Sequence, residues 1–264
     1  MVLENPFVEL KKKFTRPGTP SIMAEPEPEI MCQTCKDKGF VVIDLPANDP
    51  DFGKSWPCRC TLQKLQVKRW DRSGVSAEHL KETFKTFEQR KGTVEALSAA
   101  QALRDGKVQL VILTGNCGSG KTHLAHAVVI HALEMGGSAK IIRAADWLDD
   151  LKRAIAQDQR SRDNDTPTAE ADMMREQVNR VPVLAIDELK YRTKFDEETI
   201  DNLITRRLVD GLRTIITSNS GPEDLRLVFP RVVSRARDPR YGRCVWSTAG
   251  DYREELAKKE AKVG

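Results

Sequence analysis

At 264 residues the chain is long enough to bury a sizeable core, as one large domain or as one domain with a small satellite. With 39% hydrophobic and 31% charged residues it reads as soluble and globular, and no apolar run approaches the roughly eighteen residues of a membrane-spanning helix. The net charge of +4 conceals two local excesses, nine basic against four acidic residues from Arg59 to Lys91 and six against one from Arg226 to Arg243, and these suit a polyanionic partner.

Residues 1–30 are rich in Pro, Glu and Lys and read as a flexible tail in which "NPFVEL" is a short apolar spot. The start of the chain lacks the apolar h-region of a signal peptide, so the expected location is cytoplasmic and the six cysteines are expected to be reduced. A cysteine-containing module over 31–61 follows, then a basic connector of helical character over 62–85. The core domain is expected over 86–253, with a charged tail over 254–264.

Within the core, "VQLVILTG" (108–115) is an apolar run ending in Gly, as expected of a strand buried on both faces. "THLAHAVVIHALEMGG" reads as a helix stopped by Gly136 and Gly137, "AKIIRA" as a strand and "DWLDDLKRAIAQ" as an amphipathic helix. "DQRSRDNDTPT" reads as a loop. "VPVLAIDE" and "RTIITSN" are buried strands separated by the helical "DEETIDNLITRRLVDG", and "GRCVWST" is a fifth strand. Strands alternating with helices predict a three-layer α/β sandwich around a parallel sheet.

"GNCGSGKT" satisfies G-x-x-x-x-G-K-[ST] in full and sits between a buried strand and a helix, the context that its chemistry needs. Gly115, Asn116, Cys117, Gly118, Ser119 and Gly120 would wrap phosphates with their backbone N–H groups, helped by the positive end of the helix. Lys121 would reach the β- and γ-phosphates and the Thr122 hydroxyl would ligate Mg²⁺. Cys117 fills a free position of the loop and reads as a tolerated small residue. "VLAID" followed by Glu188 supplies the second half: Asp187 ends a buried strand and would hold Mg²⁺ through water, and Glu188 is placed to polarise the attacking water. Asn219 ends "IITSN" and could orient that water. No N-K-x-D motif is visible, which favours ATP over GTP. This combination suggests ATP hydrolysis by the additional-strand class of P-loop proteins, whose members place the catalytic strand between the P-loop strand and its neighbour.

Upstream, Cys32 and Cys35 form C-x2-C, and Cys58 and Cys60 form C-x-C after a long loop. Two close pairs at the ends of a loop suit Zn²⁺ held by four thiolates, with unligated thiols or an iron–sulfur cluster as alternatives. Such a site has no open position and would scaffold a surface rather than catalyse. His123 and His126, three apart on the helix without a carboxylate partner, read as packing residues.

Taken in order, the cysteine pairs, "RSGVSAEHLKETFKTF", "GNCGSGKTHLA", "LAIDEL", "TIITSN", "RVVSR" and "DYR" resemble the AAA+ replicative helicase loaders of the DnaC and DnaI type over residues 32–253. The resemblance implies an ATPase that self-associates into a ring or filament and delivers the replicative DNA helicase onto single-stranded DNA. It implies that the N-terminal module contacts the helicase and the ATPase domain contacts DNA. By position it assigns Lys121 and Thr122 to Walker A, Asp187 and Glu188 to Walker B, Asn219 to sensor 1, and Arg235 to an arginine finger that reaches the γ-phosphate of a neighbouring subunit.

This chain departs from the family in reading "SRA" where "SRL" is usual and in showing no separate helical lid after the fifth strand. A sensor 2 role for Arg237 therefore stays open, as do the roles of Arg231, Arg240 and Arg243. With aromatic residues at only 6%, DNA contact is expected to rest on phosphates and to weaken steeply with salt. Two other readings of the same residues remain: an ATP-binding helper of DNA transposition, and a zinc-bearing nucleic-acid adaptor that binds ATP without hydrolysing it.

Overall fold

A computed structural model describes residues 32–163, 170–190 and 192–254. The expected tail over 1–30, most of the tail over 254–264 and the part of the expected loop that follows Asp163 lie outside the described residues. The chain divides into two compact units between Asp71 and Arg72.

In the first unit, β1 (Phe40–Val42) pairs antiparallel with β2 (Ser55–Pro57), Phe40 opposite Pro57 and Val42 opposite Ser55. Helix α1 (Arg59–Asp71) follows directly. Its start is pinned to the hairpin at Gly39, whose carbonyl accepts from Cys58 N at 2.9 Å and from Thr61 Oγ1 at 2.6 Å. Gly39 holds φ +82°, a conformation that costs glycine nothing.

The second unit is built on five parallel strands in the order β4-β5-β6-β3-β7. They are β3 (Leu110–Gly115), β4 (Ala139–Arg143), β5 (Val183–Asp187), β6 (Arg213–Ser218) and β7 (Gly242–Ser247). Every residue of β3 is buried, as its apolar run requires. Helices α2 (Val94–Arg104) and α3 (Lys121–Glu134) cover one face. The other face carries α4 (Ala144–Asp163), α5 (Glu170–Arg180), α6 (Lys194–Val209), α7 (Pro222–Val228) and α8 (Pro230–Arg237), where Leu110, Leu148, Leu184, Ile204, Ile216 and Phe229 join one core. The three-layer sandwich expected from the alternation is what forms.

Three details differ from expectation. Between the P-loop strand β3 and β5, the strand ending in Asp187, lies β6, the strand that precedes Asn219; β5 itself stands one place further out. The polar stretch from Asp158 is helical as far as Asp163, because Asp158 turns inward and its carboxylate accepts from Ala171 N at 3.2 Å, joining α4 to the start of α5. The connector is α-helical only to Asp71, with a short 3-10 turn over Ala77–Lys81 further on. Between the two, Ser73 O accepts from Ile141 N at 2.7 Å, so this segment runs along the outer edge of β4 and shields it. Gly74 allows that approach: a Cβ there would fall 2.3 Å from Ile141 O.

Arg207 of α6 is fully buried and ties the sandwich together. Its guanidinium donates to Val178 O at 2.6 Å, Val181 O at 2.8 Å, Arg213 O at 2.7 Å and Thr214 Oγ1 at 2.9 Å. Four acceptors on α5, β6 and the turn before β5 thus depend on one side chain. Arg207→Ala would strand them in a dry interior, and we expect a loss of about 3 kcal/mol. In a domain of this size that corresponds to roughly 6–12 °C in Tm by calorimetry.

Candidate functional site

The C-terminal ends of β3, β4, β5 and β6 open onto one cavity of about 680 Å³. Its floor is the loop from Gly115 to Gly120. Gly118 and Gly120 hold φ +68° and +86°, and there is no space for a side chain at either. A Cβ at Gly118 would lie 1.8 Å from Asp251 Oδ1, and one at Gly120 would lie 2.8 Å from the Phe87 ring.

Lys121, the first residue of α3, is buried. It donates to Gly115 O at 2.9 Å, Asn116 O at 2.7 Å and Ser119 Oγ at 3.3 Å. Burial pulls its pKa below the usual lysine value, while Cys117, Asp187 and Glu188 act to raise it. Thr122 Oγ1 donates to Asp187 Oδ1 at 3.0 Å, and Thr217 Oγ1 donates to the same oxygen at 2.5 Å. The Glu188 N–H in turn donates to Thr217 Oγ1 at 3.0 Å. A hydroxyl and a carboxylate in contact beside a phosphate-wrapping loop are the donor set for Mg²⁺ in such a site, so Thr122 and Asp187 fit that ion.

Glu188 stands at φ +54°, which costs a residue with a Cβ of order 1 kcal/mol. Its Oε2 accepts from Arg143 Nη2 at 2.6 Å and from Arg143 Nε at 2.9 Å. Asn219 lines the same cavity.

The structure brings Lys121, Thr122, Asp187, Glu188 and Asn219 to one cavity, while the sequence reading passed over the rest of the wall. Arg143 ends β4 just as Asp187 ends β5, and the same strand-end rule could have found it. Phe87, Arg90, Tyr252 and Arg253 also line the cavity. The Arg90 guanidinium lies 4.8 Å over the Tyr252 ring and donates to Gly118 O at 3.2 Å, and Tyr252 N donates to the same carbonyl at 3.1 Å. Segments from both ends of the core domain therefore meet on the P-loop.

The arginines of the 232–243 stretch scatter. Arg235, half-buried on α8, is not among the residues that line the cavity; with Arg231 it acts electrostatically on Asp201 of α6. Arg237 donates to Glu223 at 2.7 Å, Arg240 to Asp238 at 2.6 Å and Arg243 to Ser98 at 3.3 Å.

In the first unit, Cys32, Cys35, Cys58 and Cys60 converge, with Sγ separations of 3.7 Å for Cys32–Cys58 and 3.4 Å for Cys35–Cys60. Thiols this close cannot all ionise alone. Backbone N–H groups of Cys35 and Thr34 draw Cys32 down to about 6, while the neighbouring Cys35 and burial push Cys60 up to about 12. A divalent cation removes that conflict, and four thiolates in a closed cluster could hold zinc.

The fold and the cavity define a P-loop nucleoside-triphosphate-binding protein of the α/β type. A family model described as IstB-like ATP binding protein matches residues 80–231, more than half of the chain, and the protein belongs to that family. It is similar to the replicative helicase loader DnaC of Escherichia coli K12, 28% identical over 206 residues that span 75% of this chain and 79% of the relative. The structure of DnaI superposes with a TM-score of 0.55 at 18% identity, over 70% of this chain and 98% of that one. A replication initiator DnaA bound to AMPPCP and single-stranded DNA also gives 0.55, at 20% identity over 69% and 55%. The resemblance to DnaC- and DnaI-type loaders noted in the sequence therefore holds.

The cysteine cluster yields a direct expectation. Purified protein should carry zinc by elemental analysis, Cys35→Ser should carry one equivalent less, and Cys117→Ser, which alters the P-loop instead, should match the wild type.

Proposed function

We propose that this protein is an ATPase that assembles on itself and delivers a hexameric replicative DNA helicase onto single-stranded DNA. The observation that carries the reading is the meeting of Lys121, Thr122, Asp187, Glu188 and Asn219 on one cavity, in a chain similar to DnaC over three quarters of its length. Lys121 exchanges its loop carbonyls for the β- and γ-phosphates. Thr122 and Asp187 hold Mg²⁺, which offsets phosphate charge. Asn219 orients the attacking water and Glu188 takes its proton.

Arg143 occupies Oε2 of Glu188, so a water that reacts through that oxygen needs the pair to part. Arg235 lies away from its own cavity, and this supports a role on the nucleotide of an adjoining subunit. Arg253, at the cavity wall, is in position to contact the phosphates from within the same chain. The cysteine unit presents Phe40, Val42, Phe52 and Trp56 to solvent, an apolar surface suited to a protein partner.

The grip of Arg143 on Glu188 also favours a second reading, an adaptor that binds ATP without cleaving it. Turnover with and without single-stranded DNA separates the two. Under the ATPase reading, Glu188→Gln binds ATP and loses about 10²–10⁴-fold in rate. Arg143→Ala raises basal turnover. Arg235→Ala keeps ATP binding and loses the stimulated rate, by as much as ~10³–10⁵-fold. Absence of turnover in metal-replete protein under every condition would establish the adaptor. A pull-down against the replicative helicase tests the partner, and capture of a transposase in its place would overturn the loader reading.

A further inference from the structure

We propose that His79, Glu82 and His126 form a divalent-cation site of the imidazole–carboxylate kind that zinc occupies, clasping the segment before the core sheet to the P-loop helix. His126 reads from the sequence as a packing residue without a carboxylate partner, but tertiary structure supplies one. Glu82 follows a 3-10 turn over Ala77–Lys81 that carries His79, while His126 lies four residues after Thr122 on α3. One ligand atom from each of the three residues lies within 4.8 Å of the other two.

Glu82 Oε1 stands 3.1 Å from His79 Nδ1, and Oε2 stands 2.7 Å from His126 Nδ1. That proximity to the two imidazoles favours the ionised carboxylate. His126 Nδ1 also lies 3.1 Å from the Thr122 carbonyl, so two oxygens, that carbonyl and the buried Oε2, share one imidazole nitrogen. A buried carboxylate is costly unless positive charge faces it, and one shared nitrogen supplies less of that than a bound cation would. Two imidazole nitrogens and one carboxylate oxygen, completed by water, are the donor set of an open zinc site. Imidazole ligands select such an ion over Mg²⁺ or Ca²⁺. Glu78 Oε1 lies 3.6 Å from the other His79 nitrogen, on the side where an outer carboxylate steadies a ligating ring.

Two adjustments are required. An ion takes the lone pair of His126 Nδ1, so that nitrogen gives up its contact with the Thr122 carbonyl. The two rings are stacked, 4.2 Å between centroids and 14° between planes, and an ion must lie near the plane of each ring that binds it. His79, with a third of its side chain exposed on a one-turn element, is the ring that turns. His79 and Glu82 also wall the nucleotide cavity, so an ion here stiffens that wall.

Cobalt distinguishes this site from the cysteine cluster by colour. Co²⁺ is titrated into full-length protein whose cysteine site is already filled with zinc. We expect one equivalent to bind with visible d–d bands and no thiolate charge-transfer band, and added Zn²⁺ to erase those bands and raise the Tm by a few degrees. In His79→Ala, which removes the most exposed ligand and keeps its metal-free Tm within a few degrees of wild type, both signals disappear. Glu82→Gln is expected to behave alike. Folded wild type that takes up no Co²⁺ beyond thiolate-bound ion would overturn the proposal and leave a carboxylate shared by two imidazoles. Bands of equal strength in His79→Ala would overturn it too.

Discussion

One carboxylate oxygen holds the nucleotide site together. Asp187 Oδ1 accepts from Thr122 on the P-loop helix and from Thr217 on β6, and Thr217 also accepts from the backbone of Glu188. These contacts lock three elements in register where the strands end, and they exist only because β6 stands between β5 and β3. Move β6 by one residue and its hydroxyl would face the opposite side of the sheet, since side chains alternate along a strand. The positions of Glu188 and Asn219 therefore follow from strand pairing as much as from their identities.

Around this anchor, the wall of the cavity is assembled from distant chain segments. Residues 79–90 approach from before the sheet and residues 250–253 from after it, and both contact the loop at Gly118 or Gly120. The left-handed glycines make that possible, because a side chain at either position would collide with Asp251 or Phe87. The P-loop is covered in this way by Phe87, Arg90, Tyr252 and Arg253, drawn from the two ends of the domain.

Charge is distributed in a way that composition does not disclose. Of the arginines between residues 232 and 243, Arg237, Arg240 and Arg243 are engaged with Glu223, Asp238 and Ser98, which leaves Arg235 with a distinct environment beside Asp201. Arg143 and Arg207, outside that stretch, do the structurally consequential work: one grips Glu188, and the other satisfies four buried oxygens. A local excess of basic residues marks where polyanions are attracted, but each guanidinium acts on what lies within its reach.

The sequence alone determined the alternation of strands and helices, the P-loop, the acidic strand end and the four cysteines. Each of these is a short-range pattern: apolar runs report burial, and fixed spacings place glycines, lysine or thiols relative to one another along a few residues of backbone. It passed over α2 and over α5, α7 and α8, the last three short helices rich in polar residues, and it read as loop the helical stretch that Asp158 anchors by turning inward. Tertiary structure decided that β6 rather than β5 adjoins the P-loop strand, that Arg143 meets Glu188, and that Glu82 lies between His79 and His126. Apart from His79 and Glu82, those partners are separated by dozens of residues, and only the packing of the sheet and the path of the chain around it bring their side chains within bonding distance.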